Sequence, residues 1–262
     1  MIRLLVDLDG VLVKDKALNP FPDTLEFLDF LEKNSLPFRV VSNNSTRPPK
    51  EMLENLRQKG VILPEDRFIS PLVVLPEYLR NKKLHRLFVI GTPSLKSYLQ
   101  EEGFQVVDDH KVDAVVIGQD RSLDFQKIKT ATSAVFLQNA KIIPVNLSRI
   151  VKDDDGLYFP GAGSVASMLV HACNYSQEVP NLGKPSPEFI AYATKGMPQG
   201  ETYLISDDIY TDLIGAKSLG IKTVFMTTGK YKEEELSKTE FKPDFIFSSL
   251  SELKSFLQTF LK

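Results

Sequence analysis

Two aspartates, two residues apart at the end of the first apolar run, constrain this chain more than anything else in it. Leu4-Leu5-Val6 reads as a buried strand, and Asp7-Leu8-Asp9-Gly10 follows at once. Side chains i and i+2 at a strand's end project the same way. Two carboxylates held together repel unless something positive sits between them. A hard divalent cation such as Mg²⁺ suits carboxylate and carbonyl oxygens. A carboxylate fixed in such a place can also act as a nucleophile toward phosphorus. Taken alone, the four residues equally make a polar strand-to-loop turn, because Asp and Gly are common turn residues.

The rest of the chain alternates short β-rich runs with helical patterns, which argues for parallel sheets covered by helices, an α/β protein. Strands are expected at Leu4–Val6, Phe38–Val41, Leu87–Ile90, Ala114–Ile117, Ile142–Val145, Tyr203–Ile205, Thr223–Met226 and Phe245–Phe247. Helices are expected at Pro22–Asn34, Pro48–Lys59, Pro71–Asn81, Ser94–Glu102, Phe125–Gln138, Ser164–Asn174, Pro187–Thr194, Tyr210–Leu219 and Leu250–Leu261, several closed by glycine. Two strands end alike, Phe88-Val-Ile-Gly91 and Val115-Val-Ile-Gly118, which gives the middle of the chain a sheet of its own. Polar junctions at Asn81-Lys82-Lys83 and Glu178-Val-Pro-Asn181 set the expected division: a core of residues 1–83 and 179–262, and an inserted domain at 84–178.

With 262 residues, 42% of them hydrophobic and 25% charged, the chain has the composition of an ordinary globular protein with a sizeable core. A net charge of −2 speaks against wholesale binding of nucleic acid or anionic membrane. No apolar run approaches the ~20 residues of a membrane span, and the N-terminus lacks the pattern of a signal peptide. A cytoplasmic enzyme or binding protein is the default expectation. The single cysteine, Cys173, allows no internal disulfide, and the three histidines, His85, His110 and His171, show no zinc spacing.

Ligands of open parallel sheets bind beyond the carboxyl ends of the strands. Asp7 and Asp9 follow the first core strand, Ser42-Asn43-Asn44-Ser45 the second, and Asp207, Asp208 and later Asp212 the third; Gly183-Lys184-Pro185 precedes a helix in the same half. Separately these residues read as a turn, a surface lysine and helix caps. Together they fit phosphoryl transfer. Asp7 would attack phosphorus, and Asp9 would protonate the leaving oxygen and then activate water. Mg²⁺ would offset the repulsion between Asp7 and phosphate, with Asp207 its best further ligand. Ser42 and the neighbouring amides form a natural anion site ahead of a helix, and Lys184 completes the charge balance. Asp212, i+4 from Asp208, either supports the site from behind or faces solvent.

Asp7-Leu-Asp-Gly-Val11, Ser42-Asn-Asn-Ser45, Gly183-Lys-Pro-Ser-Pro187 and Ser206-Asp-Asp…Thr211-Asp212 resemble the four motifs of the haloacid dehalogenase superfamily, most closely its NagD-like branch of nitrophenyl, pyridoxal phosphate and phosphoglycolate phosphatases. Pro160-Gly-Ala-Gly-Ser164 and Gly118-Gln-Asp-Arg121 resemble that branch too. The resemblance spans essentially the whole chain. It implies a Rossmann-like parallel-sheet core with an inserted α/β cap over the active site. It also implies a Mg²⁺-dependent phosphatase for small phosphate esters, often a homodimer through the cap. By position, Asp7 would be the nucleophile and Asp9 the acid/base. Ser42, Asn43, Asn44 and Lys184 would hold phosphate. Asp7, Asp207 and the backbone carbonyl of Asp9 would hold the metal, with Asp208 and Asp212 behind them.

Three departures stand out. Ser206 occupies a place where the family usually has glycine, Asp208 one where it often has Arg or Asn, and Val145-Asn-Leu-Ser148 one where it often has Thr-Asn-Pro-Asp, in a loop expected to govern substrate choice. Gly161-Ala-Gly163 lacks a full G-x-G-x-x-G and reads as a glycine turn with Ser164 as N-cap. Lys152-Asp-Asp-Asp-Gly156 lacks the later ligands of a calcium loop and reads as a hydrated hairpin turn. A receiver-like phosphoacceptor would share the acidic residues and the lysine, but Asp9 and the inserted domain favour turnover. A silent binding protein on the same scaffold would have no need of the intact Asp7, Asp9, Lys184 and Asp207. A phosphomutase would usually carry another type of cap.

Overall fold

A computed structural model of the chain describes residues 2–152 and 155–261. The chain opens with β1 (Ile2–Asp7), α1 (Thr24–Lys33), β2 (Phe38–Val41), α2 (Pro49–Gln58), β3 (Phe68–Ile69) and α3 (Pro71–Asn81). There follow β4 (Arg86–Ile90), α4 (Pro93–Glu101), β5 (Gln105–Val106), β6 (Ala114–Ile117), α5 (Phe125–Gln138) and β7 (Lys141–Pro144). A hairpin of β8 (Ile150–Lys152) and β9 (Tyr158–Pro160) leads to α6 (Ala162–Ala172) and α7 (Pro187–Thr194). The chain closes with β10 (Glu201–Ser206), α8 (Ile214–Ser218), β11 (Lys222–Met226), β12 (Phe245–Phe247) and α9 (Leu250–Leu257). Among the described residues, no helix is long and apolar enough to cross a membrane.

Two compact units result. The first comprises Met1–Ser42, Pro49–Ile69 and Lys184–Lys262. Its six strands pair in the order β12-β11-β10-β1-β2-β3, and every pairing is parallel. Strands buried on both faces need unbroken apolar runs, and Leu4, Leu5 and Val6 in β1 and Leu204 and Ile205 in β10 are fully buried. Chain order runs outward from β1 through β2 to β3 and from β10 through β11 to β12. The direction of winding therefore changes between β1 and β10, and a ligand crevice opens at such a point.

The second unit comprises Asn43–Pro48 and Ser70–Gly183. The insert expected at 84–178 lies inside it, but the unit also takes residues 43–48, 70–83 and 179–183, which the expected core of 1–83 and 179–262 included; the polar stretch at 81–83 is only the turn that ends α3 ahead of β4. Its sheet runs β5-β4-β6-β7, again wholly parallel. The hairpin pairs antiparallel, Ile150 opposite Pro160; Asp153 and Asp154 of the expected acidic turn lie outside the described residues. The reading of Ser164 as an N-cap needs correction. Helix α6 begins at Ala162 with Gly161 in the cap position, and the Ser164 hydroxyl instead donates to the Arg149 carbonyl at 2.6 Å.

Candidate active site

Register brings the motifs together. Val6 of β1 pairs with Ile205 of β10, so Asp7 and Ser206 end adjacent strands side by side. On its other flank Asp7 pairs with Val41 of β2, which places Ser42 one residue beyond. Three carboxyl-terminal strand ends thus deliver Asp7, Ser42 and Ser206-Asp207 to one sheet edge.

Lys184 reaches the same point. Its Nζ lies 2.6 Å from Asp7 Oδ1 and 2.9 Å from Asp212 Oδ2, and all three residues are buried. Ser206 Oγ lies 3.0 Å from Asp7 Oδ2 and 2.7 Å from Asp212 Oδ2. Asp212 sits on a wide π-type turn over Ile209–Leu213 that precedes α8; it turns inward and does not face solvent. Asp9 is exposed, and its Oδ2 accepts from the Ser42 hydroxyl at 3.1 Å. Asn44 shapes its own loop, its Oδ1 accepting from the amides of Thr46 and Arg47 at 3.1 Å each. Asn43 and Asn44 both belong to the second unit, Asn43 Oδ1 lying against Gly183.

Asp207 is held by a loop that nothing in the motifs announces. Its Oδ2 accepts from the Lys230 amide at 2.5 Å. A Cβ built on Gly10 would stand 2.1 Å from that oxygen, and one on Gly229 only 1.9 Å. The Thr228 hydroxyl donates to the Gly10 carbonyl at 2.6 Å, which ties the two glycine segments together. Asp208 is engaged elsewhere. Its Oδ1 caps the following turn, accepting from the Tyr210 and Thr211 amides at 3.1 and 2.9 Å, and its Oδ2 pairs with Lys230 Nζ at 2.8 Å. Gly229 and Lys230 lie outside every motif, and Ser206, read as a tolerated departure from glycine, carries a contact to Asp7 that its position does not announce. The one available signal was the glycine just past the β11 apolar run.

The electrostatics follow from this crowding. Burial pushes the Asp7 carboxyl well above the usual range; Lys184 pulls it down, and Asp212, Asp207 and Asp9 push it further up. Burial alone would lower Lys184, but the carboxylates of Asp212 and Asp7 outweigh it and hold the ammonium above its ordinary value. Asp207 is raised by burial against the pull of the Lys230 amide. Burial would raise Asp208 as well, but its bonds from Lys230 and the Thr211 amide leave it below the ordinary value. Asp7, Asp207 and Asp212 therefore share the pull of one buried ammonium while Asp9 adds its charge to Asp7, an excess of negative charge that low dielectric makes costly.

Every donor there is a hard oxygen, the set that Mg²⁺ takes. Among the described residues no three His, Cys, Asp or Glu side chains group as a metal cluster by themselves.

A doubly wound sheet with buried carboxylates and a single lysine at its switch point defines a protein built to handle a phosphoryl group. Residues 4–105 match the haloacid dehalogenase-like hydrolases, and residues 181–253 match a second HAD-hydrolase-like region. An acid sugar phosphatase of Staphylococcus epidermidis is 28% identical over 250 residues, 94% of each chain. A dihydroxyacetone phosphatase of Corynebacterium glutamicum is 29% identical over 255 residues, 96% of this chain and 90% of the other. The solved p-nitrophenyl phosphatase from Archaeoglobus fulgidus superposes with a TM-score of 0.85 at 27% identity, covering 97% of this chain and 98% of that one. The chain belongs to the haloacid dehalogenase superfamily, in its NagD-like branch of phosphatases.

Proposed function

We propose that this phosphoric monoester hydrolase cleaves small phosphate monoesters through an aspartyl-phosphate on Asp7, with Mg²⁺ as its metal. The observation that carries the reading is the meeting of Asp7, Lys184 and Asp212 within 2.9 Å contacts at the carboxyl edge of the sheet, where Ser206 and Asp207 also end their strand.

Asp7 supplies the carboxylate oxygen that attacks phosphorus as the bond to the leaving oxygen breaks. Lys184 pulls that buried carboxyl back toward its ionised form, against the burial and the neighbouring carboxylates that push it up. Asp9, exposed and hydrogen-bonded at its flank by Ser42, hands its proton to the departing oxygen. It then takes a proton from the water that attacks phosphorus, which releases inorganic phosphate and restores Asp7. Asp7 and Asp207 would hold Mg²⁺, with the Asp9 backbone carbonyl as a further ligand. Bound there, the ion would supply positive charge against the phosphate oxygens. Lys230 and the glycines at 10 and 229 keep Asp207 aimed at that place.

The substrate belongs to the small, cytosolic phosphate esters. Sugar and triose phosphates are the first to try, since relatives are named as an acid sugar phosphatase and a dihydroxyacetone phosphatase. The test is p-nitrophenyl phosphate turnover with and without Mg²⁺, on wild type, Asp7→Asn and Asp9→Asn. Asp7→Asn should lose more than about a thousandfold in kcat. Asp9→Asn should lose about 10²- to 10⁴-fold at saturating metal, the usual worth of a general acid. Wild-type turnover by Asp7→Asn would reject the nucleophile. An Asp9→Asn enzyme with full kcat at saturating Mg²⁺ would reject the acid/base.

A further inference from the structure

The side chains of Asp7, Lys184, Asp212 and Ser206 close a ring of four. Lys184 Nζ bridges Asp7 Oδ1 and Asp212 Oδ2 at 2.6 and 2.9 Å. Across from it, Ser206 Oγ bridges Asp7 Oδ2 and Asp212 Oδ2 at 3.0 and 2.7 Å. Ser206 has no solvent exposure. Its position is set at the other side too, since its oxygen accepts from the Asp208 amide at 3.1 Å.

A hydroxyl carries one proton. With its acceptor side occupied by Asp208, Ser206 can donate to one carboxylate at a time. The shorter contact goes to Asp212, whose same oxygen is already served by Lys184. The longer contact goes to Asp7 Oδ2, whereas the 2.6 Å contact of Lys184 is to Oδ1. The torsion that turns a carboxylate about its Cβ–Cγ bond is broad and soft, so a hold on Oδ1 alone leaves its plane free to swing. Attack on phosphorus needs aligned orbitals at near-contact distance, and small losses of alignment are costly.

We propose that Ser206 is a positioning residue for the nucleophile: its hydroxyl holds Asp7 Oδ2 while Lys184 holds Oδ1, and the attacking carboxylate is fixed from both sides. The inference rests on Asp7 being the nucleophile. It is particular to this chain, because a glycine at 206, the residue its family resemblance led us to expect, would remove one corner of the ring. A serine kept only for packing would serve Asp212 and leave catalysis indifferent to its loss.

The experiment compares Ser206→Ala, Ser206→Gly and Ser206→Thr with wild type. It reads kcat and KM on p-nitrophenyl phosphate with Mg²⁺, the Tm of the metal-free proteins, and the Asp7 side-chain torsion in metal-free crystal structures. Loss of a hydrogen bond to a charged group should lower kcat about tenfold in the Ala and Gly variants, with KM within about twofold. Ser206→Thr, which keeps the hydroxyl, should retain most of the wild-type kcat. The Ala structure should show the Asp7 carboxylate rotated or in two orientations. Ala and Gly variants with wild-type kcat and an unmoved Asp7 carboxylate would overturn the proposal, whatever happens to Tm. If Ser206→Thr does not fold, the smaller Ala and Gly side chains decide alone. If the wild type itself fails to cleave the ester, the nucleophile assignment falls, and the crystallographic torsion still judges whether Ser206 orients Asp7.

Discussion

Gly229 has no room for a side chain. A Cβ there would meet Asp207 Oδ2 at 1.9 Å and the Gly10 Cα at 2.7 Å. Gly10 is doubly bound to glycine, because its φ of +75° already disfavours any other residue. Gly229→Ala should therefore push Asp207 out of place, at a cost of about 1–3 kcal/mol, and weaken Mg²⁺ activation more than it weakens binding of phosphate ester. Chemical denaturation and a Mg²⁺ titration of activity check the two halves. Lys184→Met makes a different demand. It leaves Asp7 and Asp212 buried without their ammonium, and breaking a buried pair from one side costs about 3–5 kcal/mol. Its urea midpoint should fall accordingly, and a midpoint equal to wild type would show that the pair contributes nothing to folding. At this scale the sequence was most legible where spacing carries chemistry. Asp7 and Asp9 are two residues apart, and Asp207 follows a strand. It was least legible where a role depends on a partner far along the chain. Ser206 reads as a tolerated substitute for glycine until Asp7, 199 residues away, is seen beside it. Asp208 could be a ligand or a cap until Lys230 is found on its other oxygen.

The elements were legible in proportion to their length. Helices α3, α5 and α7 occupy the very residues that periodicity and proline placement mark out. Strands β3 and β5, two residues each, are too short to carry any alternation. The stretch Tyr210–Leu219 reads as one helix but divides into a π-type turn and the short α8. The wide turn is where Asp212 swings inward to Lys184, so a local departure from helical geometry accompanies a buried ion pair. Arg39 shows an element-scale contact that no pattern reveals. It stands on β2, and its guanidinium donates to the carbonyls of Tyr192, Ala193 and Lys195 at 3.0, 3.1 and 2.9 Å. Those carbonyls lie at the end of α7, where helical carbonyls outnumber amide donors and positive charge is also favoured by the helix dipole. Arg39→Met keeps much of the stem and removes the donors. It should destabilise by about 1–2 kcal/mol, discounted for partial exposure, with kcat on p-nitrophenyl phosphate unchanged. A loss of kcat without a change in denaturation midpoint would contradict the cap.

Across the molecule, sequence alone separated two parallel sheets. It had less to say about where one unit hands over to the other. The polar junction at 81–83 puts the helix Pro71–Asn81 with the core; in the structure it belongs to the second unit, where the Leu72 carbonyl accepts from Tyr98 of α4 at 2.8 Å. Charge makes the sharpest whole-molecule prediction. The chain carries only −2 net, yet Asp7, Asp207 and Asp212 crowd around one buried lysine, with the charge of Asp9 also felt by Asp7. A divalent cation that relieves this binds the folded chain and not the unfolded one, so it must stabilise folding by mass action. At Mg²⁺ about a hundredfold above its dissociation constant the gain is about 2.7 kcal/mol, which for a chain of this size moves Tm upward by roughly 5–10 °C. EDTA should reverse the shift. Asp207→Asn should abolish most of it while raising the Tm of the metal-free protein, because it removes a buried charge from an overcrowded site. Asp208→Asn should leave the Mg²⁺ shift nearly intact, since both of its oxygens are spent on Lys230 and the turn that follows. Equal Mg²⁺ shifts in wild type and Asp207→Asn would place the ion elsewhere, and a shift lost only in Asp208→Asn would move it one residue along the chain.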